Sequence, residues 1–302
     1  MKKVASYEEL SKLIFSNLKK NVITNMFMTK EVLETEITFG NLYYILFSNG
    51  LFIIRDRAEY FVLNYYINNI DSKETKEEIE EILKEKIKKK IVIEVVGKTE
   101  SDEKYIKICQ LLEECGLEKT IVRERFSKKE EIIEDNGIND NGINDSSINN
   151  NSKNKNIEIV DNVNNNIKII RSCEKADIKE VKNILELYFD KFHGCIPTIA
   201  QIEEDIKNKK IIKAVVENSD DEEIAGILHV DYNNNSSEIR HLAVKDEHRN
   251  KNIGTSLISY FTLTIKTQKS TVWTGKENII AQKVYEKNGY KKDGYVSTVF
   301  EN

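Results

Sequence analysis

The chain has 302 residues, 39% of them hydrophobic and 32% charged, which is enough for two domains with separate cores. Its 46 basic and 51 acidic residues leave a net charge of −5 and are interspersed, so the sequence offers no basic face for nucleic acid. No run approaches the roughly 18 apolar residues of a membrane span, and the opening MKKVASYEELSKLIF lacks a signal peptide's apolar core and cleavage site; the expectation is a cytoplasmic protein off the membrane.

Taken in order, the N-terminal half reads as a helix over Tyr7 to Lys20, then strands near Tyr43 to Phe47, Leu51 to Asp56 and Tyr60 to Ile67. A charged helix after Lys73, a strand Ile91 to Val96, a helix Asp102 to Cys115 and a strand Thr120 to Phe126 follow. From Asp135 to Asn166 the chain is asparagine-rich, repeats DNGIN, and has too few large apolar residues to offset the entropy of ordering it. It is expected to be a flexible linker between a domain over 1–134 and another over 167–302.

The second domain reads as strand Lys168 to Arg171, helices Lys175 to Asp190 and Ile199 to Asn208, and strands Ile211 to Glu217, Glu223 to Tyr232 and Ser237 to Lys245. Helix Gly254 to Lys266, strand Thr271 to Thr274, helix Asn278 to Asn288 and a strand near Lys292 to Phe300 complete it. This order predicts a mixed α/β fold with helices on both faces of a mixed sheet. Cys109, Cys115, Cys173 and Cys195 lack metal-ligand spacing and read as reduced thiols, with no metal site.

Two segments carry the chemistry. EIRHLAVKDEHRNKNIG, Glu238 to Gly254, runs from a strand through a tight turn into a helix whose first N–H groups are free to hold an anion. NIIAQKVYEKNGY, Asn278 to Tyr290, is an amphipathic helix placing Asn278 and Tyr285, two turns apart, on one face. Together they resemble the GNAT family of Gcn5-related N-acetyltransferases over about Ile167 to Phe300. That family's loop, Gln/Arg-x-x-Gly-x-Gly/Ala, stands here as Arg249-Asn250-Lys251-Asn252-Ile253-Gly254, with Asn252 in place of the first glycine. Asparagine is the next most tolerant residue of the left-handed region. The pattern Asn-x-x-Ala-x-x-x-Tyr-x-x-x-Gly-aromatic is intact as Asn278, Ala281, Tyr285, Gly289 and Tyr290.

The resemblance implies acetyl-CoA as co-substrate and a small-molecule or peptide amine as acceptor. It implies that Leu242, Ala243 and Val244 pair by backbone with the pantetheine arm, although plain sheet core would use the same residues. Arg249, Asn250, Lys251, Asn252, Ile253, Gly254 and Thr255 would hold the diphosphate, and Asn278 either the cofactor or its own helix N-terminus. Tyr285 is the expected general acid, because a phenol keeps its proton at neutral pH. Glu238 is the expected general base, with His241, read as lying on the opposite face of the same strand, His229, or water as rivals. Leu187 to Ile199, with Tyr188, Phe189, Phe192 and His193, and the strands around Tyr295 would cover the acceptor.

LLEECGLEK (Leu111 to Lys119) overlays VYEKNGYKK (Val284 to Lys292), suggesting an internal duplication. In that overlay Leu112 stands where Tyr285 does, and Tyr60 to Glu80 contains no glycine-bearing phosphate turn, so the first copy reads as catalytically silent. A non-catalytic acyl-CoA sensor and a tandem-domain aminoacyl or acyl transferase are the competing readings.

Overall fold

The computed structural model describes residues 1–17, 19–26, 28–57, 59–84, 89–98, 101–129, 159–163, 166–190, 194–218, 221–233 and 235–302. The first half comprises β1 (Lys2–Lys3), α1 (Tyr7–Asn17), β2 (Ile23–Thr24), α2 (Lys30–Thr38), β3 (Leu42–Leu46), β4 (Gly50–Asp56), β5 (Tyr60–Ile67), α3 (Lys73–Lys84), β6 (Lys90–Gly97), α4 (Glu103–Glu114) and β7 (Glu118–Lys129). The second comprises β8 (Ile159–Val163), β9 (Asn166–Ser172), α5 (Ile178–Tyr188), α6 (Ile199–Lys207), β10 (Ile211–Asn218), β11 (Asp221–Tyr232), β12 (Ser236–Val244), α7 (Ile253–Thr264), β13 (Lys269–Gly275), α8 (Ile279–Lys287) and β14 (Lys291–Glu301).

The two halves repeat one plan. Each has two helices, three antiparallel strands, a helix that crosses over to a parallel strand, another helix and a closing strand. The closing steps match in detail: α4 ends at Gly116 and α8 at Gly289, with φ of 88° and 84°. Both positions lie in the left-handed region that glycine enters without strain.

Contacts divide the chain into two compact units. The first is Met1–Arg125 with Gly275–Glu277 and Gly294–Asn302; the second is Phe126–Thr274 with Asn278–Asp293. The sequence reading gave 167–302 its own closing strand. In the structure Val296 to Glu301 of β14 pair with Gly97 to Val92 of β6 inside the first unit, and Val296 and Phe300 lie in that unit's core. Phe126, near the end of β7, is fully buried in the core of the second unit. The end of β7, from Phe126, and most of β14, from Gly294, thus belong to the unit built mainly from the other half. Residues 135–158 of the expected linker lie outside the described residues, but its last part, Ile159 to Val163, is a strand paired with β9. Ile159, Val160 and Val163 of that strand are β-branched residues, which favour extended chain.

In the first unit one core lies among β4, β5, β6, α3 and α4, around Phe52, Tyr65, Ile79 and Ile108. A second, around Leu10 of α1 and Leu33 of α2, covers the opposite sheet face. The second unit repeats this, with Leu257, Phe261 and Tyr285 of α7 and α8 on one face and Val181, Leu185 and Ile202 of α5 and α6 on the other. Helix α5 buries Val181, Ile184 and Leu185, the i, i+3, i+4 stripe of an amphipathic helix. Helix α6 starts at a reciprocal Thr198–Gln201 capping box. Among the described residues no helix is long and apolar enough to cross a membrane.

Candidate active site

The site grows from one irregularity in β12. Strands β12 and β13 pair in parallel from Ser236↔Lys269 to Ile239↔Val272, and the pairing ends there although both strands continue. On its other edge β12 stays paired with β11 out to Gly226↔Val244. Arg240 to Val244 therefore have, among the described residues, no strand partner on the β13 side. A strand edge of this kind presents backbone N–H and C=O groups to any extended amide chain.

At the same place the β11–β12 register shifts, His229 facing His241 and Val230 facing Ile239, so Arg240 is an extra residue. Such a bulge reverses the alternation of side chains. Ile239 packs in the α7/α8 core while Ala243, four residues on, packs in the α5/α6 core. The reading of Glu238 and His241 as lying on opposite faces is thereby corrected. Three residues normally separate faces, but the bulge adds one step and brings both to the α5/α6 face.

On that face His229 and His241 are buried and stacked, with ring centroids 5.3 Å apart and their Nδ1 atoms at 3.1 Å. His241 Nε2 is 2.6 Å from the Gly194 carbonyl, and Phe189 meets its ring edge-on at 4.7 Å. Burial pushes the His241 imidazole down to about 4. The neutral tautomer that donates Nε2–H to Gly194 leaves Nδ1 to accept Nδ1–H from His229. His229 Nε2 then faces Asp205 Oδ2 at 3.2 Å, within ion-pair reach but not aligned for a hydrogen bond. Asp205, His229 and Asp231 bring candidate metal-ligating atoms within 4.8 Å of one another. Cations of the protein already serve those carboxylates: Lys210 Nζ is 2.9 Å from Asp231 and 3.7 Å from Asp205, and Arg240 Nη1 is 3.4 Å from Asp231.

The expected anion loop has two left-handed residues, Asn250 (φ 60°) and Asn252 (φ 59°). Asparagine in the glycine place thus adopts the left-handed conformation that it tolerates next best to glycine, and Asn250 adds a second left-handed residue that the motif alone does not indicate. Asn252 is the N-cap of α7 but makes no side-chain cap. The first helical bond is Ser256 N–H to Asn252 O, 3.0 Å, which leaves the N–H groups of Ile253, Gly254 and Thr255 outside the helical ladder. No acidic residue occupies that first turn. Arg249 is held beside the loop by Asp246 at 2.8 Å and by the Val244 carbonyl at 3.3 Å. Gly254 lies over the splayed strand: a Cβ there would stand 3.6 Å from Val284, 3.8 Å from Leu242 and 3.9 Å from Val244, ordinary van der Waals distances.

Tyr285 is 5% exposed, between Phe126 (ring centroids 6.3 Å) and Tyr290 (6.0 Å), and burial pushes its phenol well above the ordinary tyrosine value. It lies on the α7/α8 side of the sheet with Leu242 and Val244, opposite Glu238 and His241. Asn278 uses its side-chain oxygen to cap α8, accepting from Ala281 N–H at 3.1 Å. In the expected acceptor segment, Phe192 and His193 lie outside the described residues, Phe189 covers His241, and the Tyr188 hydroxyl accepts from Asp246 N–H. Tyr295 belongs to the first unit, its ring under Arg125 at 3.8 Å. Cys109, Cys115, Cys173 and Cys195 are free thiols, and burial raises Cys109 and Cys115 to about 11. The grouping of His241, His229 and Asp205 was missed because only the bulge and the α6 packing bring them together.

The acetyltransferase (GNAT) domain family matches residues 211–292. An acetyltransferase from the GNAT family from Colwellia psychrerythraea aligns over 99% of this chain and 98% of its own at 11% identity, TM-score 0.53. A GCN5-related N-acetyltransferase from Sphaerobacter thermophilus aligns over 85% and 81% at 10% identity, TM-score 0.54. A tandem GNAT protein from the clavulanic acid biosynthesis pathway aligns over 84% and 78% at 10% identity, TM-score 0.50. No curated protein matches the chain in sequence. At these identities the structural likeness speaks for the fold, which extends through both halves. Residues 211–292 thus match the acetyltransferase (GNAT) domain family, and the fold of solved GNAT proteins, one of them a tandem protein, extends along most of the chain.

Proposed function

We propose that the second unit transfers an acyl group, acetyl in the simplest case, from a coenzyme A thioester to a primary amine by direct attack in a ternary complex. The observation that carries this reading is the free edge of β12 from Arg240 to Val244, lying beside an uncapped helix N-terminus at Asn252 to Thr255. An extended pantetheine arm adds to the first through Leu242, Ala243 and Val244, and a diphosphate suits the second.

The amine nitrogen attacks the thioester carbonyl carbon; the C–N bond forms and the C–S bond breaks. The amine's proton leaves toward the α5/α6 face, to Glu238 directly or through water, with the His241–His229 pair on the same face as the alternative acceptor. The departing thiolate takes a proton from the Tyr285 hydroxyl on the opposite face. Burial keeps the phenol protonated in the resting site; because an ordinary thiol is the stronger acid of the two, the hydroxyl first donates a hydrogen bond to the departing sulfur and gives up its proton only as the thiolate is held unsolvated beside it.

Calorimetry with acetyl-CoA, followed by free-thiol release over a panel of amines, tests the proposal. Binding with turnover on one class of amine supports it. Binding without turnover on any amine replaces it with a sensor role, and preference for a larger acyl donor or an aminoacyl-tRNA replaces it with a tandem acyl or aminoacyl transferase.

A further inference from the structure

The first unit contains the same strand divergence, and the chain itself fills it. Strands β5 and β6 pair in parallel from Tyr60↔Lys90 only to Val62↔Val92, as β12 and β13 do to Ile239↔Val272. Beyond that point β2, from the segment between α1 and α2, pairs antiparallel with β5, Ile23↔Ile67 and Thr24↔Tyr66. Asn25 follows it into the opening and is 6% exposed. Its Oδ1 accepts from Tyr65 N–H at 2.8 Å; its Nδ2 donates to Leu63 O at 3.3 Å and to Glu94 O, on β6, at 2.7 Å. One side-chain amide therefore spans both diverging strands.

The registers make the two gaps comparable. Tyr65 stands three residues beyond the last parallel pair on β5, and Leu242, with the bulged Arg240 counted, stands three beyond it on β12, so both lie in the stretch where the parallel strand has turned away. A second observation is independent of the first. Helix α3, the counterpart of α7, has its N-terminus served from within: Ser72 Oγ accepts from Glu74 N–H at 3.2 Å, and Glu74 itself lies in the first turn. A carboxylate already occupies the end of the helix dipole where an anion would sit.

We infer that Ile23–Asn25 is an internal stand-in for the pantetheine arm, so the chain has one acyl-CoA site, in the second unit, and the first unit is closed to this ligand. The inference rests on the reading proposed above only in identifying what the open gap takes. The closed gap stands on its own hydrogen bonds.

Amide hydrogen exchange on the full chain, with and without saturating acetyl-CoA, tests it together with calorimetric stoichiometry. Expected are a Tyr65 amide protected without ligand and unchanged by it, slowed exchange at Leu242 to Val244 on binding, and one acetyl-CoA per chain. Asn25→Ala should accelerate Tyr65 exchange about tenfold, as for one lost hydrogen bond of ~1.4 kcal/mol, and Asn25→Ser by less. Free exchange at Tyr65 in the unaltered protein, slowing there on addition of acetyl-CoA, or two ligands per chain would overturn the inference. A protected Tyr65 with no ligand effect at Leu242 to Val244 would uphold the closed gap and sink the proposed transfer site instead.

Discussion

Phe126→Ala should destabilise a unit that contains little else of the first half of the chain. The phenyl ring is fully buried, packed against Tyr285 with centroids at 6.3 Å and covered by Lys292 Nζ at 5.7 Å. Truncating a buried phenylalanine to alanine costs about 3–5 kcal/mol, transfer term and residual cavity together. Against a typical stability of roughly 5–15 kcal/mol, that is a large share of the total. At roughly 2–4 °C per kcal/mol for a domain of this size, the midpoint for the second unit should fall by on the order of 10 °C. Site-resolved hydrogen exchange provides the decisive assay. Amides of Leu257 and Ile258 in α7 should lose protection, while those of Ile53 and Ile54 in β4 should keep theirs. The reciprocal variant Phe300→Ala, in the first unit's core, should reverse the pattern. If Phe126→Ala loosens β4 and leaves α7 unchanged, the assignment of the closing strands is wrong.

Tyr285→Phe keeps the ring contacts with Phe126 and Tyr290; thiol-release turnover should fall about 10- to 100-fold or more with acetyl-CoA affinity nearly unchanged, and full activity would remove the acid role. Because a Cβ at Gly254 meets only ordinary contacts, Gly254→Val should fold yet weaken acetyl-CoA binding, and an unchanged dissociation constant would take the loop out of the cofactor site. His241, pushed down to about 4 by burial from an unfolded value near 6.5, binds fewer protons when folded. Its contribution is therefore complete above about pH 6.5 and is lost as pH falls toward 4, on the order of 2–3 kcal/mol. Thermal midpoints of the unaltered protein should drop more steeply over that window than those of His241→Phe, and equal slopes would contradict the burial argument.

Where local pattern decided structure, the sequence could be read. Helices α5 to α8 and strands β10 to β14 fall within a few residues of the expected ranges, because apolar periodicity, the Thr198 cap and Gly289 are local signals. Helix α2 was missed since KEVLETEIT buries only Leu33, too little for a visible stripe. Strand β2 is two residues long, and only its partner defines it. The bulge at Arg240 is a matter of register between strands, which no single strand's composition records. The destinations of β7 and β14 were hidden for the same reason. Their pairing joins residues far apart in the chain, and each strand alternates equally well whichever core receives it. In the candidate site, the loop and Tyr285 were visible through the resemblance, whereas the His229–His241 stack with Asp205 emerged only from packing.

The crossing of the two closing strands bears on how such a chain could have arisen. When two identical single-domain molecules trade their terminal arms, each completes the other, and the pair is held together by its own secondary structure. Joining their genes end to end would turn that couple into one polypeptide whose closing strands cross between units, as most of β14 and the end of β7 do here. Thereafter neither half could be inherited or expressed without the other. One thioester gap could then close over Asn25 at no loss to the partnership while its twin stayed open.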